Sequence, residues 1–511
     1  MINDLKNLTL EPKLLQEIVW SLTTKNKDLE TENEFLREQL RLFRARKFGK
    51  SSEKSDRQLE MLELQVEESE ESGAIAIEAE ETAKTGADKK RPKRQKLPDH
   101  LPRTDILLPP EETCPDCGGV EFRKIGDDIS ETLEYVPSSF KVNRYIRPRC
   151  ACVNCEKVVQ ACVPSKTIDK GKAGAGLLAH IMVQKYCNHL PLYRQSQMYE
   201  REGVEISRST LASWVKQSAT LLEPVIEEIR TAVFSAKHLH GDDTPIKVLA
   251  PGAGKTKTGR LWTYVKDGRP HGDTTPPAVC YYYSPDRKGE RPLEHLKNFK
   301  GVLHADAYAG YNALYVDKGK PEENITEAAC WAHTRRKFYE VTVANDKANI
   351  AMEVLEEIGK IYEIESKIRG LEPGIRLEQR QKLSKEMVAK LFANLKKYQR
   401  ELPKKSTTAQ AIGYALGNEV ALKRFLGDGK IEIDNNAAER AMRSIALGRK
   451  NWLFAGSDIG GSSAATMYTL IETAKLNGLN PWEYLRAVFE RIQDHPISKI
   501  AELLPWNIKL D

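Results

Sequence analysis

No apolar run in the chain approaches the ~18 residues of a membrane-spanning helix, and the opening MINDLKNLTL lacks the charged-then-apolar layout of a secretory leader. Both absences predict a soluble, cytoplasmic protein with no membrane partner. An excess of one charge is missing too: 79 basic against 73 acidic side chains leave +6 on 511 residues, so only the distribution of charge is informative. Cysteine is sparse and odd in number, nine in all, which argues against a disulfide framework. What is present is 40% hydrophobic residues, with seven Trp and eighteen Tyr, enough for sizeable cores and against global disorder. At ~150 residues per domain the length holds three or more folded units.

Leu15, Leu22, Leu29, Leu36 and Phe43 recur every seven residues, with Val19, Asn26, Asn33 and Leu40 on the companion seam. The heptad predicts a coiled coil within 1–55 and a homo-oligomer, because seam asparagines set register; the competing reading is an amphipathic helix packed on its own chain. Residues 56–104 then separate charge: 60–81 hold nine Glu and no Lys or Arg, whereas 89–103 hold seven basic residues and three Pro. Neither stretch can build a core, and Lys89, Lys90, Arg91, Lys93 and Arg94 are candidate phosphate contacts. In 105–165, Cys114 and Cys117 form one CxxC knuckle and Cys152 and Cys155 a second, 35 residues beyond Cys117. Two chelating thiolate turns at that interval predict a zinc ribbon binding Zn²⁺. Residues 166–235 are expected to be helical, with Gly203 in a turn and Ser207 as a cap, either a DNA-reading helix-turn-helix or a plain hairpin.

From residue 236 the pattern changes. KHLHGDDTPIKVL, GRLWTYVKD and AVCYYYS are β-rich runs separated by Gly, Pro and Asp; a helical ERPLEHLKNF, the runs GVLHADAY and ITEAACW, and a helix at HTRRKFYEV follow. With a short helix assumed after Asp306, the order becomes β-β-β-α-β-α-β and predicts a multidomain α/β protein whose catalytic domain, 236–455, is ribonuclease H-like. In that fold the first and fourth strands are parallel neighbours. Asp242 is expected to end the first and Asp306 the fourth, and the shared His-x-Asp pattern of His240/Asp242 and His304/Asp306 turns Asp243 away from the pair. Glu439, one turn into a helix capped by Asp434, supplies a third acid. Three converging carboxylates call for Mg²⁺ or Mn²⁺, whose hard-ligand preference they meet. Apolar stripes at Val354, Leu355, Ile358, Ile361 and Tyr362, and at Leu383, Met387, Val388, Leu391, Phe392 and Leu395, predict a helical insertion over about 343–428. Residues 456–511 are a C-terminal helical segment with Asn480 as a cap.

The strings HGDDTP, LHADAYAGYNAL, CWAHTRRKF and DNNAAERAMRSIALGRKNWLFAGS resemble signature blocks of the large catalytic protein of the insertion-sequence-66 family of transposases, and RKFGKSSEK, the CxxC pairs and HLPLYRQ fit the same order. The resemblance covers nearly the whole chain and implies an Asp-Asp-Glu active site at Asp242, Asp306 and Glu439. The family usually has Asp-Glu-Thr-Pro where this chain has Asp242-Asp243-Thr244-Pro245. The resemblance further implies double-stranded DNA as substrate, terminal inverted repeats as specific sites, and small accessory proteins as partners. His333, Arg335, Arg336, Arg443, Arg449 and Lys450 are then candidate DNA contacts beside the acids. A zinc-containing DNA-binding regulator would not need the three acids, and a nuclease of the same fold would cut without joining.

Overall fold

The structure is a computed structural model that describes residues 140, 142–143, 150–151, 158–159, 165–168, 171–250, 255–306, 308–315, 324–344 and 348–510. The heptad, the charged linker with Lys89, Lys90, Arg91, Lys93 and Arg94, and the knuckle cysteines Cys114, Cys117, Cys152 and Cys155 lie outside the described residues. Every element below belongs to the compact unit that includes residues 147–511.

Two short strands, β1 (Cys150–Ala151) and β2 (Val158–Val159), pair antiparallel on either side of the CVNC string. Four helices follow: α1 (Ala175–Tyr186), α2 (Leu192–Arg201), α3 (Arg208–Leu221) and α4 (Glu223–Phe234). Gly203 takes φ +81° in the turn between α2 and α3, a conformation that favours glycine, and the Ser207 hydroxyl accepts the Thr210 amide at 3.2 Å to start α3.

Alternating apolar residues and intervening turns then build β3 (His238–Ala250), β4 (Lys255–Lys266) and β5 (Ala278–Ser284), followed by α5 (Glu290–His295), β6 (Gly301–Ala305), a 3-10 turn (Ala309–Leu314) and β7 (Ile325–Ala329). The sheet order is β5-β4-β3-β6-β7; β3, β4 and β5 are antiparallel neighbours, while β6 lies parallel to both β3 and β7. One expectation needs correcting: Asp242 lies inside β3, not at its end. β6 pairs only as far as His240, and from there to Ala250 β3 continues as a hairpin with β4. Beyond His240 no second strand pairs with it until a single bridge from Val248 to Ala455, and such an open stretch tolerates Pro245.

The remaining chain is helical: α6 (Trp331–Ala344), α7 (Asn349–Ile368), α8 (Pro373–Gln379), α9 (Lys385–Glu401), α10 (Thr407–Gly417), α11 (Glu419–Leu422), α12 (Asn436–Trp452), α13 (Asp458–Leu476) and α14 (Pro481–Arg491). Val354, Ile358 and Ile361 of α7 pack with Val388, Leu391, Phe392 and Leu395 of α9 in one core. Leu383 departs from the expected stripe and is 44% exposed. A π-helical turn, Arg380–Ser384, joins α8 to α9, and its extra residue shifts the phase so that Arg380 and Ser384 face inward instead. The C-terminal helices are part of this body. Thr469 and Thr473 of α13 hydrogen-bond the amides of Tyr281 and Val279, satisfying the outer edge of β5. Asn480 accepts the Trp482 and Glu483 amides and so caps α14. Among the described residues, no helix is long and apolar enough to cross a membrane.

Candidate active site

In the parallel pairing of β3 with β6, His238 stands opposite Val302 and His240 opposite His304. The two buried imidazoles pack edge to face at 5.3 Å, and burial holds both below the usual histidine range. Two residues beyond each histidine come Asp242, still within β3, and Asp306, one residue past the end of β6. Burial, then the nearby Asp306 carboxylate, with smaller contributions from Asp243 and Glu439, pushes the Asp242 carboxyl up to about 8, so Asp242 feels both of the other predicted acids.

Glu439 is delivered by α12, whose start is fixed by a residue the sequence reading did not single out. Asn435 is fully buried, donates from Nδ2 to the Gly241 carbonyl at 2.9 Å, pairs with His240 Nδ1 at 3.1 Å, and donates its amide to Cys330 Sγ at 3.2 Å. It thereby ties α12 to the strand bearing Asp242 and to the end of β7. Asn435, not Asp434, occupies the cap position, but its side chain turns inward to the sheet; Asp434 accepts the Asn436 amide at 3.2 Å. The only signal was the DNN string itself, because asparagine before a helix is ordinarily a cap.

Asp243 faces elsewhere. Its buried carboxylate is gripped by Arg287, with Nε to Oδ1 at 3.0 Å and Nη2 to Oδ1 at 2.8 Å, and by Arg260 Nη1 at 3.0 Å. The Arg287 guanidinium stacks 3.9 Å from the Tyr308 ring centroid, the Tyr308 hydroxyl donates to the Arg287 carbonyl, and the Tyr308 amide donates to Asp306 Oδ1 at 3.2 Å. Asp243 therefore reaches Asp306 through an arginine and a tyrosine.

On α6, His333 Nδ1 lies 3.6 Å from Glu439 Oε1, beyond hydrogen-bond length, and donor atoms of Cys330, His333 and Glu439 all fall within 4.8 Å of one another. Arg335 and Arg336 are exposed on α6, and Arg336 lies 3.6 Å from Glu340. Arg443 and Lys450 lie along α12, partly and fully exposed; Arg449 is turned inward, donating to the Pro245 carbonyl at 2.6 Å. Trp331 is buried and donates to the Leu422 carbonyl at 2.8 Å.

Comparison with known proteins places this geometry. The profile of the transposase IS66 family matches residues 170–463, more than half of the chain. The chain belongs to the IS66 transposase family. Profiles for the IS66 C-terminal element (469–506), the zinc-finger binding domain of transposase IS66 (111–156) and the transposase C of IS166 homeodomain (35–106) match in addition. The chain is 40% identical to the uncharacterised protein y4hP of Sinorhizobium fredii over 498 residues, covering 94% of this chain and 88% of that one. It is likewise 40% identical to y4qI of the same organism over 446 residues, 86% of this chain and 82% of the relative. Membership of the IS66 family makes DNA the partner, and the zinc-finger match, which spans both CxxC pairs, supports Zn²⁺ binding.

Proposed function

We propose that this IS66-family protein binds the terminal inverted repeats of an insertion sequence and catalyses metal-dependent cleavage and strand transfer, with Asp242, Asp306 and Glu439 as the catalytic acids of a ribonuclease H-like domain spanning 236–455. The observation that carries the reading is the parallel pairing of His240 with His304, each two residues before an acid, with the Asp242 carboxyl raised by both Asp306 and Glu439. The sheet order, three antiparallel strands followed by two parallel ones, supports the fold assignment.

Three oxygen-donor carboxylates with a raised acid among them fit a hard divalent cation, because a cation removes the repulsion that burial amplifies. Asp242, Asp306 and Glu439 would hold Mg²⁺ or Mn²⁺, which supplies activation of water or a 3′-hydroxyl and stabilisation of the leaving oxygen. The chain's own contribution is placement. Asn435 fixes the helix that carries Glu439, and Tyr308 holds the Asp306 carboxylate. His333, Arg335, Arg336, Arg443 and Lys450 contact phosphates around the acids, Arg449 holds β3 instead, and Lys89, Lys90, Arg91, Lys93 and Arg94 add sequence-independent affinity. Cys114, Cys117, Cys152 and Cys155 hold Zn²⁺, the heptad makes a homo-oligomer, and accessory proteins of the same element join it.

The test is cleavage and joining of a labelled inverted-repeat end by Asp242→Asn, Asp306→Asn and Glu439→Gln. Each is expected to bind the end and to cut nothing; a variant that still cuts removes its residue from the site.

A further inference from the structure

Two acid-free stretches leave the carboxylates side by side. Between Asp243 and Asp267 the sequence has no carboxylate but places Lys247, Lys255, Lys257 and Arg260 on the β3–β4 hairpin; between Glu439 and Asp458 it again has none but places Arg440, Arg443, Arg449 and Lys450 on α12. The stretches are stitched together. Arg449 donates to the Pro245 carbonyl, the Ala455 amide donates to the Lys247 carbonyl at 2.8 Å, and the Leu249 amide donates to the Ala455 carbonyl at 2.9 Å. Several of these cations also have partners: Lys257 pairs with Asp458 at 2.6 Å, Arg260 with Asp243 at 3.0 Å, and Lys247 donates to the Thr258 hydroxyl at 2.8 Å.

To make its bridge to β3 the chain turns at Leu453, a non-glycine residue at φ +48°. The turn leaves Leu453 65% and Phe454 42% exposed, and Leu249, whose amide bonds the next residue, is 38% exposed. Strained backbone that is pinned on both sides and presents large apolar side chains to solvent is characteristic of a contact surface. Its surroundings say which kind, since a surface in which cations outnumber acids favours a polyanion over a protein face of mixed charge.

Glu439, Arg443, Ala446 and Lys450 share one stripe of α12, so the stripe that begins at the third acid leads to the apolar tip. Fourteen residues at ~1.5 Å each put Leu453 about 21 Å along the helix axis from Glu439. That is about six base pairs of duplex at ~3.4 Å per step.

We propose that this arm is the DNA track of the site and that Leu453 and Phe454 wedge between base steps about six base pairs from the reacting phosphate. The proposal rests on the transposase reading above. Lysines and arginines of the hairpin and of α12 hold the backbone on either side, and the two apolar side chains unstack and kink the duplex between them.

The experiment uses the full chain carrying Asp242→Asn, so that no cleavage is required, and duplexes with a fluorescent adenine analogue placed at successive positions of the inverted-repeat end. Binding is expected to raise fluorescence at one step about six base pairs from the cut. Phe454→Ala and Leu453→Ala are expected to abolish that rise while weakening binding less than ~3-fold, and Lys247→Ala and Lys450→Ala to weaken binding ~10-fold and lower the salt slope by about one each. A bound duplex without a fluorescent step overturns the wedge. Unchanged binding by the lysine variants overturns the track and leaves the tip to a second copy of the chain, which sedimentation would register. Failure of the catalytic reading shows separately, as cleavage retained by Asp242→Asn.

Discussion

Two parts of the molecule bury charge in opposite ways. In the helical block, Glu365 receives Arg380 through Nε at 2.8 Å and Nη2 at 2.6 Å, Arg380 Nη1 donates to the Phe425 and Asp428 carbonyls, and Arg376 reaches Glu432 at 2.6 Å. Beside the paired ends of β3 and β6, by contrast, with Asp242 inside β3 and Asp306 just past β6, no Lys or Arg of the described residues forms an ion pair with either acid. Charge in the first region is matched by the chain itself, as a core requires. In the second, Asp242 and Asp306 have no such partner, which is what the proposed cation site requires. Opposed in this way, paired burial marks architecture and unpaired burial marks a site.

The largest effects should break the second region. Asp242→Asn, Asp306→Asn and Glu439→Gln are each expected to lower cleavage on the order of a thousandfold or more, with folding intact, because each removes a cation-binding oxygen and no packing. Single-turnover cleavage alongside thermal melting reads both. If any of them unfolds the protein instead, the two regions are not different in kind.

The converse change belongs to the helical block. Glu365→Gln leaves Arg380 fully buried without the carboxylate that pairs with it and is expected to cost about 3–5 kcal/mol of stability. Activity per folded molecule should not change, and urea unfolding measured beside cleavage at low temperature checks the pair.

Acidity sharpens the contrast at a smaller scale. The folded Asp242 carboxyl sits at about 8, above its unfolded value near 4, so the folded state holds that proton more tightly. Metal-free protein should therefore lose stability as pH rises from about 4 to 8, by about 2–4 kcal/mol once partial exposure is discounted. Asp242→Asn should flatten that slope, and Mg²⁺ should offset it in the parent. Melting curves across pH with a chelator decide it; a parent that gains stability over this window would refute the coupling.

How much of this was legible beforehand follows from the range over which each signal acts. The sheet order and the pairing of His240 with His304 were readable because runs of alternating side chains are local. A zinc-binding unit was readable for the same reason, the CxxC spacing being short, and the zinc-finger profile covers it. Asn435 was hidden because an inward clamp and an ordinary cap use the same residue at the same place. Leu383 was misassigned to the core because one π turn changes the phase of everything before it, which periodicity cannot register. The place of Asp242 within β3 was misjudged because Asp-Thr-Pro has the composition of a turn, and only the early end of β6 makes that stretch an edge. Arg287 lies 44 residues from Asp243, and nothing in either neighbourhood announces the pairing.

Asp243 is the case that falls between the two regions and so tests the distinction most finely. It adjoins Asp242 in sequence, yet it is treated as the helical block treats its acids: buried, gripped by Arg287 and Arg260, and on the face of β3 away from its neighbour. Sequence alternation alone would make Asp243→Asn nearly silent. The structure adds a consequence, because the Arg287 it anchors stacks on Tyr308, whose amide holds Asp306. Losing the charge should cost about 1–2 kcal/mol, since asparagine keeps one acceptor and Arg287 retains access to water. Activity should fall less than ~10-fold, with a raised requirement for Mg²⁺, as expected when a ligand is loosened and not removed. Asp243→Glu, which restores the acid that IS66 transposases usually carry there, should recover most of the loss. A thousandfold defect in Asp243→Asn with an unchanged Mg²⁺ requirement would make Asp243 a member of the site and would erase the boundary between paired and unpaired burial.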